Sequence, residues 1–133
     1  MTDRDIDQTL EVFAQGASSE IAKAVEDVAN EFVASGGYGS LHMHLASNET
    51  IVKVFTSAAG QMIKEARRYE NPGAVREVLD SHLSKVLDRT LAQQTSHLHA
   101  GNVAPHDREV LCADLQKNMK RVKDAAIRDL MFT

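Results

Sequence analysis

Residues 47–69 constrain the fold most, because a helix drawn through them is apolar over most of its surface. Ile51, Val52, Val54, Phe55, Ala58, Ala59, Met62, Ile63 and Ala66 leave only a narrow polar strip of Lys53, Thr56, Ser57, Gln61, Lys64 and Glu65. A helix of that kind is ordinarily buried. The other long segments each carry a single apolar stripe. The expectation is three amphipathic helices laid around this central one, in a single domain over residues 1–133: a small all-α antiparallel bundle of about four helices with a long N-terminal helix.

In the first helix Thr2 or Asp3 serves as cap, and Asp3, Asp5 and Asp7 sit at its positive end. Ile6, Leu10, Phe13, Ala17, Ile21, Val28 and Phe32 then recur at helical spacing. The run would span about 45 Å at ~1.5 Å per residue, which is long for a compact monomer. Gly16-Ala17-Ser18-Ser19 interrupts it with small residues, so it either kinks there or meets another helix closely, with Ala58-Ala59-Gly60 as the matching surface. A helix-turn-helix reading of residues 16–25 fails because Glu11 and Gln15 fall where that motif needs apolar side chains.

Gly36-Gly37-Tyr38-Gly39 ends the first helix, since glycine takes left-handed backbone angles at little cost. Residues 40–46 alternate polar and apolar, the period of a strand, yet the chain offers no good partner strand. They also fit a helical stripe, and we expect a short irregular or helical lead-in with the helix restarting at Ser47. Asn71-Pro72 starts the third helix. Its stripe of Val75, Val78, Leu79, His82, Val86, Leu87, Thr90 and Leu91 turns polar at Gln93, Gln94, Thr95 and Ser96, where fraying is expected. Gly101, Asn102 and Pro105 mark a turn. The last helix, from about residue 105 to 130, carries Leu111, Leu115, Met119, Val122, Ala126 and Leu130 on one face.

Composition narrows the function classes. The single cysteine, Cys112, makes no intrachain bridge, which favours a reducing compartment. No apolar run reaches the ~20 residues of a membrane span, and the start lacks a secretory pattern, so a cytoplasmic location without membrane association is expected. Tryptophan is absent, which removes the usual stacking platform of single-strand binders. The net charge of −4 is unevenly spread: residues 1–66 carry ten acids and four bases, whereas 67–133 carry nine acids and eleven bases.

Three constellations bear chemistry. His42-Met43-His44 and His97-Leu98-His99 are two pairs with one residue between, and four imidazoles converging at helix ends would suit zinc. On a helix, however, the members of each pair point about 200° apart. The competing reading makes them polar neighbours of core Leu and Met. His82 and Asn118 each lie inside an apolar stripe, where a polar group needs a partner or costs about 1–3 kcal/mol. They suit a hydrogen-bonded pair that fixes register, or a ligand-binding position. Lys117, Lys120, Arg121, Lys123 and Arg128 make the last helix basic, as a duplex-binding helix would be. The acidic net charge opposes that reading, and complementarity with the acidic first helix competes with it.

No nucleophile sits beside an orienting acid, and no catalytic residue or cofactor is assigned. The leading expectation is a non-catalytic interaction protein, an adaptor or regulator that self-associates as a homodimer or docks on another protein. Phe13, Gly16, Ala17, Ile21, Val28 and Phe32 would supply the contact. The junction at residues 36–39 would also permit exchange of the first helix between subunits. The alternatives are a metal- or small-ligand-binding bundle built on the histidines, and a nucleic-acid-binding regulator acting through the basic last helix.

Overall fold

The computed structural model describes residues 3–69 and 71–132. Four helices account for nearly all of them: α1 (Asp3–Ser35), α2 (Leu41–Ala66), α3 (Pro72–Ala100) and α4 (Pro105–Met131). The suggested Thr2 cap lies outside the described residues. No helix among the described residues is long and apolar enough to cross a membrane.

The junctions follow from their residue types. Gly36 and Gly39 have φ of +83° and +80°. The Gly37 amide donates to the Phe32 carbonyl at 2.8 Å and that of Gly36 to Val33 at 3.3 Å, the paired bonds with which a left-handed glycine closes a helix. Ser40 then caps α2, its hydroxyl accepting from the Met43 amide at 3.2 Å. α2 therefore begins at Leu41 rather than Ser47, and residues 41–46 are regular helix. Asn71 caps α3 by accepting from the Ala74 amide at 3.3 Å. α3 does not fray at 93–96 but runs on to Ala100, because Gln94 and Leu98 are both buried.

Successive helices run antiparallel. Tyr69 at the end of α2 donates to Thr9 near the start of α1 at 3.2 Å, while the ring of Phe32 meets that of His42 edge-on at the other end. Lys123 pairs with Asp80 at 3.3 Å, and Thr95 approaches Cys112, which sets α3 against α4 in the same sense. The two hairpins then lie side by side, with α1 against α3 and α2 against α4. Asn48 reaching the Leu111 carbonyl and Arg67 reaching that of Asp129 show that α2 and α4 run parallel. α2 and α3 touch across the short diagonal, whereas α1 and α4 occupy opposite corners without packing on each other.

That arrangement corrects two expectations. α2 is not surrounded on all sides: Lys53, Thr56, Ser57, Gly60, Gln61 and Lys64 form an exposed outer face, while Ile51, Phe55, Ala58, Ala59, Met62 and Ile63 point into the core. Gly16 and Gly60 do not make the close approach, since both are exposed and a Cβ at either would meet nothing within 4 Å. Alanines do the fitting instead, with Ala14 and Ala17 of α1 buried in one core with Ala58 and Ala59 of α2. α1 is the longest of the four, as expected, with 33 residues against 26, 29 and 27 in the others.

The expected association surface is largely spent inside the chain. Ala17, Ile21 and Val28 are buried, Phe13 and Phe32 are half-buried, and Gly16 faces outward.

Candidate functional site

One end of the bundle departs from the apolar pattern. Where the C-terminal halves of α1 and α3 meet the start of α2, the interior contains His44, Ser47, Asn48, Thr90 and Gln94, all buried. They reach that depth through helical spacing. His82, Val86, Thr90, Gln94 and Leu98 follow one another at steps of four along α3, and all five are buried. On α2, His44 and Asn48 are likewise four apart.

Part of this polar interior is closed on itself. The Gln94 amide donates to Asn48 Oδ1 at 3.1 Å, and Asn48 donates from Nδ2 to the Leu111 carbonyl at 3.0 Å. The chain of bonds links α3, α2 and α4 and satisfies the groups that burial would otherwise penalise. His44 is different. Its residue is only 6% exposed, and its Nε2 has no hydrogen-bond partner among the described residues. Burial first, and the nearby His97 imidazole second, hold its pKa below the ordinary histidine value, so the ring is neutral at neutral pH.

His44, Ser47, Thr90 and Gln94 border a pocket of about 600 Å³ between α1, α2 and α3. Ile21 and Val25 form the α1 wall, Met43 and Ile51 the α2 wall, and Ser47, Thr90 and Gln94 place polar groups in the lining. Tyr38, Glu26 and His97 are exposed residues at its edge. The size falls within the ~300–1,000 Å³ range of small-molecule sites, which combine apolar walls with a few placed polar groups.

The histidines separate as helical geometry dictates. His44 points inward and His97 lies near it, but His42 is exposed against Phe32, and His99 contacts Arg108. His106 is exposed. Among the described residues no group of three or more His, Cys, Asp or Glu side chains is placed to hold a metal ion. His82 is buried, and its Nε2 lies 2.8 Å from Asp7 Oδ1, which ties α3 to α1; Asn118 is half-buried on α4. The partner of His82 is thus an exposed acid on the first helix.

The basic residues do gather. Lys117, Lys120, Arg121, Lys123 and Arg128 line a groove with Arg76 of α3, so a residue distant in sequence joins them. Asp80 and Asp124 lie in the same groove, and Lys123 is engaged by Asp80 and by Ser84 at 3.3 Å each.

Asn48 and Gln94 are absent from the residues that sequence reasoning singled out. Asn48 reads as a polar break in a stripe and Gln94 as part of a fraying end. The available signal was Leu98, which resumes the step-of-four series after Gln94. Comparison with protein-family models, curated proteins and solved structures yields no match.

Proposed function

We propose that this protein is a non-catalytic small-ligand-binding bundle, with the pocket between α1, α2 and α3 as its binding site. The observation that carries the reading is the unpartnered Nε2 of buried His44, a residue of the pocket lining, beside the apolar walls of Ile21, Val25, Met43 and Ile51. Leaving such a group unpaired costs about 1–3 kcal/mol, and a ligand that hydrogen-bonds to it recovers that cost.

The test is a titration with the uncharged fluorophore N-phenylnaphthylamine, using wild-type protein and Ala29→Trp. Ala29 is half-buried in the pocket lining, and an indole there occupies the space a ligand would take. Wild type is expected to enhance the emission saturably. The variant should melt near the wild-type temperature by circular dichroism and bind about tenfold or more weakly, a loss of at least ~1.4 kcal/mol. No saturable signal with wild type, or equal affinity in the variant, would rule the pocket out.

A second reading, contact with another protein or a second copy, is favoured by the charge layout. α1 exposes Glu11, Glu20, Glu26, Asp27 and Glu31, whereas the basic residues of α4 stand at the opposite corner. Acid and base therefore do not neutralise each other within the chain, and opposite corners of two molecules are complementary. Light scattering behind a sizing column is expected to give a dimer mass at low salt that falls toward the monomer as salt screens the pairing. A monomer at every concentration and salt level would end this reading.

A further inference from the structure

The pocket also discriminates between classes of ligand. One of its buried polar groups is the neutral imidazole of His44, and the amide of Gln94 is already joined to that of Asn48 behind it, which in turn bonds the Leu111 carbonyl. Ser47 and Thr90 add hydroxyls, which are uncharged as well. No lysine or arginine is among the lining residues, and the carboxylate there belongs to Glu26, exposed on α1. From α3 the titratable group is His97, from the α1–α2 turn it is Tyr38, and α4 contributes no residue to the lining.

Each charge type fails at a specific point. An anionic head drawn to the depth of His44 loses its hydration with no fixed cation to replace it, and it meets Glu26 on the way in. A cationic head is drawn to Glu26 at the edge, so its body fills the apolar part while His44 stays unpaired. A hydroxyl carries no charge to desolvate. It also both donates and accepts, so it completes Nε2 whichever ring nitrogen of His44 bears the proton.

We propose that the ligand is an uncharged amphiphile headed by a hydroxyl group, its apolar body against Ile21, Val25 and Ile51 and its hydroxyl on His44 Nε2. This rests on the reading of the pocket as a binding site.

The experiment is isothermal titration calorimetry at neutral pH with n-octanol, octanoate and octylammonium, which share one chain and differ in the head. Wild type is expected to bind the alcohol about tenfold more tightly than either ion, close to the upper value of one net buried hydrogen bond. His44→Phe keeps an aromatic ring without a polar nitrogen and is expected to lose most of that tenfold preference. His44→Gln retains a donor and an acceptor and is expected to keep it. Octanoate or octylammonium binding as tightly as the alcohol overturns the proposal, as does an unchanged preference in His44→Phe. Should that variant fail to fold by circular dichroism, the head-group comparison on wild type and His44→Gln still decides. Binding of N-phenylnaphthylamine without any preference for octanol removes only the hydroxyl assignment. Failure of both probes removes the pocket reading with it.

Discussion

Replacing Phe55 by alanine is expected to lower the unfolding free energy by about 3–5 kcal/mol, the usual cost of emptying an aromatic site in a core. Phe55 is fully buried and sits on α2, which touches each of the other three helices. The cavity therefore opens at the middle of the bundle, where no single helix can move to fill it without parting from another. Domains of this kind hold roughly 5–15 kcal/mol in total, so the variant should approach the edge of folding. Urea titration followed by circular dichroism should show the midpoint falling with the slope unchanged. A loss below about 1 kcal/mol would mean that the core closes around the missing ring and that the packing at Phe55 is loose.

The second large effect is expected at Asn48. Asn48→Ala should cost about 2–3 kcal/mol, because it removes two buried hydrogen bonds and leaves the Gln94 amide without its acceptor. The volume lost is small, so the cost is chiefly that of the orphaned polar group. A double-mutant cycle separates the two contributions. Adding Gln94→Ala removes the stranded donor, and the double variant should be less destabilised than the sum of the single ones by about 0.5–3 kcal/mol. Simple additivity would show that the two amides act independently and that the network does not fix the register of α2 against α3.

Much of the fold is legible in local chemistry. Gly36, Asn71, Pro72 and Pro105 announce the helix ends, and the stripe containing Leu111, Leu115 and Met119 announces a buried face. What escaped has two physical sources. The first is that a polar residue within a stripe looks like a boundary: Asn48 and Gln94 satisfy each other across two helices, and no single-segment pattern reveals such a pair. The histidine pairs belong here too, since the alternation at residues 40–46 resembles a strand until Ser40 is seen to cap a helix. Once the segment is helical, His42 and His44 must face different ways, and the second becomes the interior group. The other source is the order of helices around the bundle. Opposite charge on α1 and α4 favours their meeting, but their placement at opposite corners follows from how the two hairpins dock, which is a property of whole faces rather than of any motif.

The docking of the hairpins has a consequence for the pocket. His44 and Ile51 belong to the hairpin of α1 and α2, whereas Thr90, Gln94 and His97 belong to that of α3 and α4, and residues 67–71 are the short link between them. A molecule held in the pocket therefore grips both halves and acts as a cross-brace between them. Occupancy and cohesion become one quantity: each increment of binding energy is added to the work needed to part the hairpins, by about 2.7 kcal/mol at a hundredfold excess over the dissociation constant.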